Sequence, residues 1–109
     1  LLKDVNGISM LPEPQETISN YAYFPIFVDE QAYGMSRDAL YEKLKQNNIF
    51  GRRYFYPLIS EFSMYRGLES SAPEHLPVAH KMANEVISLP IYPELSNNII
   101  EAITAIISI

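Results

Sequence analysis

The sequence predicts an α+β fold, a small, mainly antiparallel sheet with helices on one face. Three observations carry that prediction. Extended and helical patterns alternate along the chain as strand, helix, strand, helix, short strand, helix. The extended stretches are rich in β-branched and aromatic residues, whereas the helical ones each carry one apolar stripe. Finally, 109 residues, 48% of them apolar, are enough for one hydrophobic core and too few for two.

Leu1 to Val5 reads as the end of a helix that starts upstream, stopped by Asn6-Gly7, and so predicts a chain cut from something longer. Ile8 to Leu11 is a short strand closed by Pro12-Glu13-Pro14, and a polar loop follows. The stretch NYAYFPIFV, Asn20 to Val28, predicts a strand; Pro25 donates no ladder hydrogen bond and belongs at an edge or a bulge. After a turn over Asp29 to Gly34, Ser36 caps a helix reaching about Asn48, with Leu40, Tyr41 and Leu44 on its apolar side. Ile49 to Tyr56 predicts a second full strand, and the region 60–76 is irregular. Pro77 suits the first turn of a helix whose stripe runs Val78, Ala79, Met82, Ala83, Val86 and Ile87. ISLPIY, from Ile87, is extended, and Ser96 caps a last helix with Ile99, Ile100, Ile103, Ile106 and Ile107 facing inward.

Composition then narrows the function classes. Net charge is −5, from 13 acidic and 8 basic side chains. A nucleic-acid binder gains most of its affinity from a basic face, and here only Arg52 and Arg53 sit together, so no nucleic-acid partner is expected. The absence of cysteine excludes disulfides and thiolate metal sites. No apolar stretch reaches the roughly 18 residues of a membrane span, so no membrane partner is expected. Nucleophile-elbow, dinucleotide-fingerprint and phosphate-loop patterns are missing. His75 and His80, five apart, read as solvent-facing side chains rather than zinc ligands, and Asp29-Glu30 as a solvated bend.

FGRRYFYPLI, Phe50 to Ile59, is the stretch that asks for an explanation. On a strand, alternation would put Tyr54 and Tyr56 on one face and Arg53 and Phe55 on the other. Two readings stand at the level of the residues. One face packs on helices while the other is covered by a neighbouring domain, or the strand lines a cleft, offering a guanidinium and phenols to a polar ligand.

Three passages, SNYAYFPIFVDE, SRDALYEKLKQNNIFGRRYFYPLISEFSMYRGL and LPVAHKMANEVISLPIYPELS, resemble the C-terminal small domain of the DegT/DnrJ/StrS family. These are pyridoxal-phosphate-dependent nucleotide-sugar aminotransferases of the aspartate-aminotransferase type, and RRYFYP is most similar to enzymes acting on dTDP-keto-6-deoxyhexoses. The resemblance spans residues 1–109. It implies that a large N-terminal domain, outside this sequence, holds pyridoxal 5'-phosphate and supplies the Schiff-base lysine; Lys3, Lys43, Lys45 and Lys81 match no such motif. It also implies a cytoplasmic homodimer that moves an amino group from glutamate to a nucleotide-sugar in surface-polysaccharide or deoxysugar biosynthesis. This stretch alone would be inactive and would bind no cofactor.

The small domain would form a wall of the substrate cleft, with Arg53, Tyr54, Phe55 and Tyr56 as substrate-contacting residues and no catalytic or metal-binding ones. Many members read His-Tyr-Pro where this chain has Phe55, Tyr56 and Pro57, so an imidazole contact to the sugar is replaced by an apolar one. The competing expectation is an independent α+β ligand-binding or regulatory module. A third, a structural or interaction domain, rests on the apolar and aromatic content alone. Separated from a large domain, the chain is expected to expose an adhesive face and self-associate.

Overall fold

The computed structural model describes residues 1–108. One antiparallel sheet runs in the order β1 (Ile8–Met10), β2 (Phe24–Val28), β3 (Val86–Leu89). The helices are α1 (Glu30–Tyr33), α2 (Arg37–Gln46), α3 (Pro77–Glu85) and α4 (Asn97–Ile107). The α+β class is the one expected.

Register explains the core. Ile8 lies opposite Val28, Met10 opposite Ile26, and Ile26 opposite Ile87, so these side chains share one face of the sheet. That face meets Leu40 and Leu44 of α2 and Ile103 and Ile107 of α4, and Ile26, Leu40, Leu44, Ile87 and Ile107 are fully buried. Pro25 sits in the central strand, yet its position obeys the rule that a proline cannot donate. Ser88, opposite Pro25, exchanges both backbone hydrogen bonds with Arg52 on its other side. The Pro25 nitrogen therefore points away from β3, toward a place that β1, ending at Met10 opposite Ile26, does not reach.

Caps place the helices. Asp29 accepts from the backbone amides of Gln31 and Ala32, turning the expected turn into one helical turn closed by Gly34 at φ 81°. Ser36 caps α2 and Ser96 caps α4, both as expected. Tyr33 Oη and Lys43 Nζ donate to the carbonyls of Ile107 and Ile106, which lie beyond the reach of α4's own amides.

Several expectations are corrected. Leu1 to Val5 forms turns, not a helix end. The strand expected from Asn20 begins at Phe24, because Asn20 turns the chain through its Ala22 amide and Tyr21 takes φ 53°. Ile49 to Tyr56 is no strand: only Arg52 pairs, in a single bridge to Ser88. The 60–76 stretch holds 3₁₀ turns at Ile59–Glu61, Glu69–Ser71 and Pro73–His75. Val86 and Ile87 belong to β3 rather than to the α3 stripe, Val78 is exposed, and Ile99 is outside the core. Helical spacing could not separate the last turn of a helix from the strand that follows it without a break.

Gly7, at φ 76°, hands its carbonyl to the Asp29 amide at 2.8 Å and lies against α1 so closely that a Cβ would meet Tyr33 N at 2.3 Å. Gly7→Ala should therefore cost more than the roughly 1–2 kcal/mol of the left-handed conformation alone. A urea midpoint unchanged in that variant would refute this packing.

The Cα radius of gyration is 15.5 Å, against about 13 Å for a compact chain of this length. In the stretches 11–23 and 50–76, Ile18, Tyr21, Phe55, Ile59 and Met64 stand largely exposed.

Candidate functional site

The segment Arg53 to Pro57 leaves the sheet immediately after the Arg52 bridge, and its peptides Tyr54–Phe55 and Tyr56–Pro57 are cis. The expected alternation does not hold, and a different partition replaces it. Tyr54 and Phe55, neighbours in sequence, stack with ring centroids 5.1 Å apart, and both meet the edge of Tyr23, at 5.8 and 6.1 Å. Arg53 and Tyr56 turn to the other side, where the Arg53 guanidinium lies 4.7 Å over the Tyr41 ring and 5.7 Å from the Tyr56 ring.

Helix α2 supplies the charges of that second group. Arg37 is 3% exposed and donates from Nη1 to the carbonyls of Ala83 and Val86, at 3.0 and 2.9 Å. It thus satisfies acceptors at the C-terminal end of α3, where a cation is favoured. Its guanidinium also lies 4.7 Å over the Tyr56 ring. Asp38 Oδ1 accepts from Arg53 Nη1 at 3.0 Å and stands 2.8 Å from Arg37 Nε. The Arg37 N–H is not aimed at that oxygen, so this second contact is Coulombic rather than a hydrogen bond.

Burial pushes the Asp38 carboxyl up, but the Arg53 hydrogen bond and the charges of Arg37 and Arg53 outweigh it and hold the group below its ordinary value. A carboxyl depressed by folding contributes stability above its unfolded value, about pH 4, and loses it as pH falls through the folded value. Asp38→Asn should therefore lower the urea midpoint at pH 7 and lower it less at pH 3. Equal losses at both pH values would remove the ion pairs from the account.

Of the four residues expected to contact substrate, Tyr56 lines an open hollow of about 360 Å³, together with Ser36, Arg37, Asp38 and Asn84. Tyr54 and Phe55 stand apart with Tyr23, and Arg53 is engaged by Asp38. His80 is not solvent-facing: its side chain is 21% exposed, its Nδ1 is 4.0 Å from Glu61 Oε1 and its Nε2 is buried. His75 is exposed, with Nδ1 2.9 Å from the Glu69 carbonyl.

Residues 1–108 match the DegT/DnrJ/EryC1/StrS aminotransferase family. The chain belongs to that family. The dTDP-4-amino-4,6-dideoxy-D-glucose transaminase of Escherichia coli is 50% identical over 107 residues, covering 98% of this chain and 29% of that protein. The transaminase of the same description from Shigella dysenteriae is 42% identical over 106 residues, 97% of this chain and 28% of that protein. Among solved structures, DesI in the presence of its TDP-sugar product superposes with a TM-score of 0.87 at 29% identity, covering 98% of this chain and 26% of that one. The chain thus spans less than a third of the length of these relatives.

Aminotransferases of this family are pyridoxal-phosphate-dependent. The lysines here do not fit the role of Schiff-base partner. Lys43 donates to the Ile106 carbonyl, Lys81 pairs with Glu85, Lys45 lies 3.8 Å from Glu42 and Lys3 is exposed. None lines the hollow beside Tyr56.

Sequence reasoning missed Tyr23, Arg37, Asp38 and Tyr41. Arg37 and Asp38 directly follow the Ser36 cap, where charged side chains are ordinarily solvated, and nothing local marks Arg37 as buried. Tyr41 was read only as part of the apolar stripe.

Proposed function

We propose that this chain is the C-terminal small domain of a transaminase that moves an amino group from glutamate to the C4 carbonyl of a dTDP-linked 4-keto-6-deoxysugar. Glutamate leaves as 2-oxoglutarate and the ketone becomes a primary amine, so the exchange is balanced without a further oxidant or reductant. The observation that carries this reading is the 50% identity, over 98% of the chain, to an Escherichia coli transaminase described by the 4-amino sugar nucleotide. Pyridoxal phosphate, held by the remainder of the protein, supplies the carrier for the amino group. The whole protein works as a cytoplasmic homodimer in surface-polysaccharide or deoxysugar synthesis.

In this reading Arg53, Tyr54, Phe55 and Tyr56 form a wall of the sugar-nucleotide cleft. Phe55, 68% exposed and stacked on Tyr54, presents an apolar surface, whereas Tyr56 presents its phenol beside the hollow. The exposed aromatic and aliphatic side chains of 50–68 are the surface that the rest of the polypeptide covers, which supports a domain of a larger protein over an autonomous module.

The test uses the intact protein encoded around this sequence. It should absorb in the visible, bleach on addition of glutamate, and regain its absorbance when the dTDP-4-keto-6-deoxysugar is supplied. A colourless protein, or one indifferent to glutamate, would sink the reading. Bleaching without recovery would leave the aminotransferase and dismiss the proposed acceptor.

A further inference from the structure

The Tyr56 ring lies between two guanidiniums, Arg37 at 4.7 Å and Arg53 at 5.7 Å, and both reach one atom, Asp38 Oδ1. The two cations are not equally fixed. Arg37 is buried and anchored on the carbonyls of Ala83 and Val86. Arg53 is 38% exposed, rests on the Tyr41 ring, and makes its side-chain hydrogen bond to Asp38. The carboxylate at the start of α2 therefore adds a hydrogen bond to the two ring contacts that hold the segment carrying Tyr56 against this helix. It also sits between two like charges that would otherwise repel across the ring.

We propose that Asp38 is a positioning residue for the sugar-nucleotide site, holding Arg53 so that the Tyr56 phenol is set at the edge of the hollow for contact with the sugar. The inference rests on the reading of the chain as a sugar aminotransferase domain. The glutamate half-reaction needs the folded protein but no sugar nucleotide, so it is the control for structural damage. A carboxylate with a merely structural role would not distinguish the two substrates.

Two variants of the intact protein, Asp38→Asn and the conservative Asp38→Glu, test this, and neither removes the buried donors of Arg37. The probe is dTDP-4-amino-4,6-dideoxy-D-glucose, with its dissociation constant measured by calorimetry. The rate of bleaching by glutamate is recorded on the same samples. Hydrogen bonds to charged groups set the expected scale, so Asp38→Asn should bind the probe about tenfold or more weakly, and Asp38→Glu, which keeps the carboxylate, should recover part of that loss. Glutamate should bleach them at the wild-type rate. Tyr56→Phe, which keeps the ring and removes the hydroxyl, should weaken the probe in the same way.

Binding within twofold of wild type in Asp38→Asn would overturn the proposal, as would a parallel loss of glutamate bleaching. These outcomes are separable from failure of the functional reading. A wild-type protein that neither bleaches nor binds the probe would take that reading down, and the inference with it.

Discussion

Replacing Arg37 by leucine is expected to lower the stability of this domain by about 3–5 kcal/mol, the range for removing one member of a buried charged network. The side chain is 3% exposed, and its Nη1 serves the carbonyls of Ala83 and Val86, at 3.0 and 2.9 Å. Leucine would fill part of the volume and leave both acceptors without a donor away from water. Asp38 would lose one of its two cations, and the Tyr56 ring would lose the nearer of its two guanidiniums. Arg37→Lys keeps the charge, but an ammonium cannot lay a planar group over the Tyr56 ring, so an intermediate loss is expected. Urea unfolding with an unchanged m-value would report the difference directly. A shift below about 1 kcal/mol for the leucine variant would mean that water replaces the guanidinium at the end of α3.

The second large effect lies in the sheet. Ile87 is fully buried, pairs across β2 with Ile26, and belongs to the cluster formed with Leu40, Leu44, Ile103 and Ile107. Ile87→Ala should cost about 2–5 kcal/mol, from lost transfer free energy and from the cavity left between sheet and helices. Gly51 makes the prediction more specific. A Cβ there would stand 3.1 Å from Ile87 Cδ1 and Cγ1, tighter than ordinary contact. Alone, Gly51→Ala crowds Ile87 and destabilises. Combined with Ile87→Ala, the added methyl enters the vacated space, so the double variant should be more stable than the sum of the single losses predicts. Strict additivity would show that the bridge at Arg52 does not press this backbone against β3.

These two sites also show which parts of the molecule were readable beforehand. The serine caps of α2 and α4 act within one helical turn, so Ser36 and Ser96 could be named from their neighbours alone. The apolar stripe of α2 behaved likewise, because Leu40 and Leu44 are one turn apart on a helix with a polar far side. The segment after Gly51 was misread for the opposite reason. Its aromatic content suits a strand, but a strand needs a neighbour, and β3 offers Arg52 a single bridge. Past that bridge, side-chain partners took over from the ladder: Tyr54 and Phe55 joined Tyr23, while Arg53 and Tyr56 joined α2. Four residues expected on alternating faces were redistributed into two groups of neighbours.

Local order and composition were enough to determine the α+β class and the capped helices, since each depends on spacing within a short window. Family membership was likewise carried by three passages of linear sequence. The tertiary structure alone decided that Arg37 is buried, that it closes α3, and that Asp38 joins it to Arg53 around Tyr56. Arg37 and the carbonyls it serves lie 46 and 49 positions apart, and Arg53 lies 15 from Asp38. No periodicity reaches across such distances: a buried charge is tolerated only where the fold brings its partners to it.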